Sequence, residues 1–304
     1  MPRVYLHELV DVVGTERARY QHHMTANWCP EAGPLRRQRC FGVFTVVGST
    51  GRWPQVLNLW EYGSWEDLAH NFGVELVGAG HRDPMLEQWW RRAASFRTGG
   101  LDRVLVAVDG SPGIEDWCAR GGTGAVAYVH EIVRTDVDGA APAADAVQHE
   151  APELAERFGM ELVGLFRTAM RAHDELVVLR SVPDWPSWSR FESWAMEAGA
   201  SGPPGTRELA RTLVVDAELS PLRIGRQHTV EDRRPLDEVC RLRGRAGPGR
   251  VSGRSGHRRS LAACRSCRTR RASRGRAHRR RCPRARPDDA TGWRPPWRCA
   301  ARRW

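Results

Sequence analysis

The chemistry most legible in this 304-residue chain sits in two short strings, Val4-Tyr5-Leu6-His7-Glu8-Leu9-Val10 and Ala127-Tyr128-Val129-His130-Glu131-Ile132-Val133. An imidazole titrates near neutral pH, and beside a phenol it can move a proton or orient a carbonyl ligand. Both strings are rich in β-formers, and successive strand side chains point to opposite faces. Tyr5, His7 and Leu9 therefore share one face, while Val4, Leu6 and Glu8 share the other. The apolar Val4/Leu6 set suits a helix-covered side. That leaves Tyr5, His7, Tyr128 and His130 as candidate ligand-binding residues facing a space between two sheets. The competing reading is a hydrogen-bonded core histidine, retained in both strings by duplication. Asn58 and Trp60 share a strand face and complete the candidate set, although Trp60 also reads as simple core.

Other chemistry is absent or weak. There is no Gly-x-Ser-x-Gly, no glycine-rich phosphate loop after a strand and no metalloprotease helix. The chain has no lysine, which excludes Schiff-base and Walker-type lysine chemistry. His22-His23 are neighbours on a predicted helix, so they do not share a face, and solvated helix surface is expected rather than a metal site. Trp65, Trp89, Trp90, Trp188 and Trp194 recur at helical spacing and read as core. Neither a metal nor a cofactor is expected. The body's cysteines, Cys29, Cys40, Cys118 and Cys240, are too few and scattered for a disulfide framework. With no signal-like N-terminus and no apolar run of membrane-spanning length, a cytoplasmic protein with no membrane partner is expected.

The elements that must position these residues come in two sets. The two strings lie 123 residues apart, and at the same offset Gly63-Ser64-Trp65 returns as Pro186-Ser187-Trp188, each opening an amphipathic stretch. Unit one reads as strand 4–10, a helix after Thr15 ended by Pro30 and Pro34, strands 41–47 and 56–60, a helix capped by Ser64, another from Asp83-Pro84, and strand 104–108. Unit two reads as strand 126–133, a helix near 141–157 interrupted at Pro152, strands 161–169 and 175–182, a helix capped by Ser187, and strand 212–217. The closing strands match at an offset of 109. The expected class is α+β: two ferredoxin-like βαββαβ repeats, at 2–109 and 125–222, joined by a linker at 110–124. Each four-stranded sheet has an uncovered face, which packing sheet to sheet as an α/β barrel would cover.

Val56-Leu57-Asn58-Leu59-Trp60-Glu61-Tyr62, followed by Trp65-Glu66-Asp67-Leu68, resembles the strand-to-helix segment of the NIPSNAP family of dimeric α/β-barrel proteins. The Tyr5 to Glu8 strand is similar too. The resemblance covers roughly residues 3–222 as a repeated unit and implies a barrel with a cavity. The chain departs from the family in having no Arg after Glu8, and in having Pro183-Asp184 where unit one has Trp60-Glu61.

Charge divides the chain. Residues 1–240 carry 25 Arg against 34 acidic residues, net −9, whereas residues 241–304 carry 22 Arg against Asp288 and Asp289, net +20. In residues 241–304 only Leu242, Val251 and Leu261 are aliphatic side chains larger than alanine, which cannot offset the cost of ordering. A disordered Arg-rich tail over 223–304 is therefore expected. It is either a reading-frame product of GC-rich DNA or an arm for nucleic acid. Cys264-x-x-Cys267 lacks the second close pair of a structural zinc site.

The leading functional expectation is binding of a small apolar or aromatic molecule between the sheets. The alternatives are a cofactor-independent monooxygenase or isomerase, and nucleic-acid binding through the tail. A second copy of the chain is a further candidate partner.

Overall fold

Strand β1 (Val4–Val12) pairs antiparallel with β3 (Gln55–Tyr62) on one side and β4 (Arg97–Ala107) on the other, and β2 (Arg39–Val46) adds beyond β3. The second half repeats this plan. β5 (Ala127–Thr135) lies between β7 (Glu175–Val182) and β8 (Thr206–Asp216), with β6 (Leu162–Ala169) beyond β7. The pairs β2–β8 and β4–β6 join the halves into a closed barrel in the order β1-β3-β2-β8-β5-β7-β6-β4. Closure removes every free sheet edge. The computed structural model describes residues 1–76, 84–171, 174–198 and 202–233. The expected tail lies outside the described residues from 234 onward.

Helices cover the outside of both sheets. In the first half these are α1 (Arg17–His22), a π-helical turn (His23–Trp28), α2 (Cys29–Arg36), α3 (Trp65–Glu75) and α4 (Pro84–Ala93). The second half uses α6 (Ala140–Phe158) and α7 (Trp185–Glu197). Among the described residues, no helix is long and apolar enough to cross a membrane.

Proline did not stop the helices where expected. Pro30 occupies the first turn of α2, where its missing N–H costs nothing, and α2 continues through Pro34. Pro152 likewise lies inside a continuous α6. Thr15 does not cap α1; Glu16 stands there without a side-chain cap bond. The π-helical turn brings His23 inward, so His23 is buried and stacked on Trp89, with ring centroids 5.3 Å apart, rather than solvated.

The structural correspondence between the two halves changes offset along the chain. His7 and His130 are 123 apart, Phe44 and Phe166 are 122 apart, Leu57 and Val177 are 120 apart, and Leu105 and Val214 are 109 apart. The Ser64/Ser187 correspondence is therefore replaced by another. Ser64 Oγ accepts from the Asp67 amide, and Asp184 Oδ1 accepts from the Ser187 amide, so Asp184 is the cap and Trp185 matches Trp65. By the same shift Trp60 corresponds to Arg180, not to Pro183.

Residues 110–124 are more than a tether. They contain α5 (Ile114–Ala119), whose Ile114 and Trp117 are buried in the barrel's inner cluster, as is Leu222 of α8 (Pro221–Ile224). Ordered chain also runs past 222. Gln227 Nε2 donates to the Cys40 carbonyl at 2.9 Å, and Arg226 pairs with Asp232 through both amino nitrogens.

Candidate functional site

Alternation along β1 and β5 places Tyr5, His7, Tyr128 and His130 inside the barrel, as the pattern implied. The space there is filled by side chains. Tyr5, Phe41, Phe44, Leu57, Leu59, Leu105, Tyr128, Phe166, Val177 and Leu179 form one buried cluster. At its centre the Nε2 atoms of His7 and His130 lie 2.9 Å apart, with rings stacked at 5.1 Å and tilted by 20°. One ring must donate while the other accepts, so the contact requires at least one neutral imidazole. Burial pushes both pKa values down, His7 well below its ordinary value and His130 to about 4; the neighbouring histidine adds to the effect on His7, and Arg103 adds to both.

The two tyrosines anchor opposite flanks. Tyr5 OH donates to Glu61 Oε2 at 2.7 Å, and the Ile114 amide at the start of α5 donates to the same oxygen at 2.9 Å. Tyr128 OH donates to Asp216 Oδ2 at 2.7 Å. Burial raises the Asp216 pKa to about 7, against the opposing pull of the Tyr128 hydrogen bond. Burial likewise raises both phenols, so they remain hydrogen-bond donors at neutral pH.

Asn58 and Trp60 share a face, as expected, but it is the opposite one. They lie under the helices with Glu8, whose Oε2 accepts from Asn58 Nδ2 and Trp60 Nε1, both at 2.9 Å. Asn58 Nδ2 also donates to Tyr20 OH at 2.8 Å. The six candidates therefore divide into an inner four and an outer two, with the sheet between them. Burial, together with the charge of Asp102 opposite it on β4, raises the Glu8 pKa.

In the second half the equivalent outer face holds charge instead of neutral donors. Glu131 stands where Glu8 does and is bound by two guanidinium groups: Arg211 Nε at 2.8 Å and Arg180 Nε at 3.5 Å. Arg180 Nη2 also reaches Glu150 Oε2 on α6 at 3.3 Å. These residues line a cavity of about 250 Å³ between the sheet and helices α6 and α7. Its apolar wall includes Val133, Leu154, Phe191, Trp194 and Leu209. At roughly 30 Å³ for each water volume, it has room for a one- or two-ring molecule.

None of the six candidates lines this cavity, and its charged residues were not singled out from the sequence. One signal was available. Arg180 is the only charge within the strand run Leu176-Val177-Val178-Leu179-Arg180-Ser181-Val182, and an arginine in a buried strand requires partners. Among the described residues, no group of three or more His, Cys, Asp or Glu side chains could hold a metal ion.

No protein-family model and no curated protein matches the chain. Solved structures do resemble it. A provisionally assigned monooxygenase from Fusobacterium nucleatum is similar over 75% of this chain and 98% of its own, at 8% identity and a TM-score of 0.49. A NIPSNAP-like domain protein from Burkholderia xenovorans is similar over 36% of this chain and 89% of its own, at 19% identity and a TM-score of 0.31. A NIPSNAP family protein from Agrobacterium tumefaciens is similar over 36% of this chain and 97% of its own, at 19% identity and a TM-score of 0.30. NIPSNAP structures, the family whose strand-to-helix segment residues 56–68 resemble, are thus among the structures this chain is similar to. The likeness concerns the fold, and the functional reading rests on this chain's own side chains.

Proposed function

We propose that this protein binds a small apolar or aromatic molecule, and that the molecule sits under α6 and α7 of the second half rather than between the sheets. The observation that carries this reading is the cavity itself: aromatic and aliphatic walls beside a few convergent charged side chains, of which Glu131 and Arg180 are buried and Glu150 and Arg211 partly exposed. A ligand between the sheets would have to part the His7–His130 contact and the rings packed around it. Close-packed interiors resist that.

Native mass spectrometry of the purified protein tests the reading. Wild type is expected to carry a small-molecule adduct, and Ala195→Trp, which fills the cavity, is expected to lose it. His7→Ala and His130→Ala should keep it. An adduct lost in the histidine variants and kept in Ala195→Trp would return the site to the barrel interior.

A second reading is a cofactor-independent isomerase or monooxygenase. Glu150 favours the proton-moving version, because it is a carboxyl group at the edge of the cavity whose pKa partial burial raises, against the pull of Arg180. Nucleic-acid binding through residues 241–304 rests on their charge alone.

A further inference from the structure

Two thiols adjoin each other away from both the barrel interior and the cavity. Cys29 opens α2 and Cys40 lies on β2, and both belong to the buried cluster beneath the helices of the first half. Cys29 keeps 7% of its surface accessible and Cys40 2%. The His228 ring adjoins Cys29. It is carried by a strap, residues 226–233, that crosses the pair. Gln227 Nε2 donates to the Cys40 carbonyl at 2.9 Å, and Arg233 pairs with Glu31, on α2 just beyond Cys29. These two contacts bracket His228, whose ring nitrogens are both buried without an aligned hydrogen bond. A buried imidazole ordinarily has a structural partner. This one has a cysteine sulfur beside it instead.

Buried cysteines are mostly small inert hydrophobes with raised pKa values. Cys40 follows that rule: burial, with the Cys29 sulfur next to it, holds its pKa well above the usual thiol value, and the nearby Asp216 and Cys118 push the same way. Cys29 does not. Burial pushes its pKa up, but the Cys40 thiol and the His228 imidazole outweigh burial and bring it down to about 6. A thiolate thus stands beside a thiol that can resolve it. From this juxtaposition of Cys29, Cys40 and His228 under one strap, we infer that Cys29 and Cys40 form a redox-active dithiol, which hydrogen peroxide converts to a disulfide joining α2 to β2. His228 takes the Cys29 proton. The Cys29 thiolate attacks one peroxide oxygen, the O–O bond breaks, and the departing hydroxide collects that proton and leaves as water, giving a sulfenic acid. Cys40 then loses its proton and attacks the Cys29 sulfur. The S–O bond breaks, a second water leaves and the S–S bond forms, so two electrons pass from the two sulfurs to peroxide.

Trypsin cuts this lysine-free chain after arginine, which puts Cys29 in peptide 20–36, Cys40 in peptide 40–52 and Cys118 in peptide 104–120. Full-length protein treated with hydrogen peroxide at pH 7, blocked with N-ethylmaleimide and digested without reductant should yield 20–36 joined to 40–52, released by dithiothreitol. Cys40→Ser removes the resolving thiol and should leave Cys29 as a sulfenic acid, trapped by dimedone on peptide 20–36. His228→Gln should slow bridge formation about three-fold or more at pH 7 and by less at pH 9, where hydroxide deprotonates the thiol unaided. Equal slowing at both pH values overturns the part given to the imidazole. A bridge that uses Cys118, or Cys29 and Cys40 both recovered as maleimide adducts after peroxide, overturns the dithiol itself.

Discussion

The Nε2 atoms of His7 and His130 lie 2.9 Å apart inside the barrel, so a single proton is shared between two rings contributed by the two halves of the chain. Both pKa values are depressed, that of His130 to about 4, so between about 4 and the unfolded value of 6.5 the unfolded chain binds protons that the folded chain refuses. Their contribution to stability is therefore intact above the unfolded value and falls as pH drops through that window, by up to about 1.4 kcal/mol per pH unit for each ring. Urea unfolding at pH 7, 6 and 5 should show His130→Gln losing less stability on acidification than wild type. Parallel curves would refute the assignment.

Asp216 works in the opposite direction. Its carboxyl, raised to about 7, binds a proton in the folded chain that the unfolded chain has already released above about 4. The stability it contributes is complete below the unfolded value and disappears as pH rises through 7. Relative to wild type, Asp216→Asn should thus improve by roughly 3–5 kcal/mol between pH 4 and pH 8, because each pH unit across that window is worth about 1.4 kcal/mol. A difference between the two proteins that does not change with pH would contradict the buried-acid account.

Gly42 and Gly164 are equivalent glycines at irregularities in β2 and β6, and each lies under the ring of a phenylalanine two residues on. An added Cβ would approach the Phe44 ring at Gly42 and the Phe166 ring at Gly164, in both cases far inside contact distance. Gly42→Ala and Gly164→Ala should each destabilise by about 1–3 kcal/mol. Adding Phe44→Leu to Gly42→Ala should recover part of the loss in thermal unfolding. A tolerated alanine at both positions would mean the rings have room to move.

Truncation separates the barrel from the basic segment. A chain ending at Leu236 should melt within a degree or two of the full chain. A chain ending at Ser220 loses the fully buried Leu222 and should be less stable by about 1.5–3 kcal/mol. Any nucleic-acid binding should vanish with the first cut and, in the full chain, weaken steeply with salt. Binding retained by the shorter chain would move that activity to the barrel.

Much of the architecture was legible because strand alternation and the repeat are strong signals. The first half of β4 was missed. Residues 98–102 are exposed and include Gly99-Gly100, so they are in the sheet through backbone pairing with β1 and lack the apolar alternation that marks a strand. The inner histidines were found because alternation fixes the face of a strand. It cannot say whether the space they face is open, and here aromatic packing fills it. Arg180 and its carboxylates were hidden by register. The single offset of 123 placed Pro183 opposite Trp60, whereas the strands themselves place Arg180 there, because the second half is three residues shorter between its first strand and that position.

The joining pairs β2–β8 and β4–β6 bring the two sheets together within one polypeptide. Their encounter is intramolecular, governed by an effective concentration that the chain itself sets. Dilution cannot take this barrel apart. A single chain also leaves the halves free to differ: a barrel made from two identical chains must carry every substitution twice, whereas this one holds Trp60 on one side and Arg180 on the other. One half can keep the framework while the other acquires chemistry.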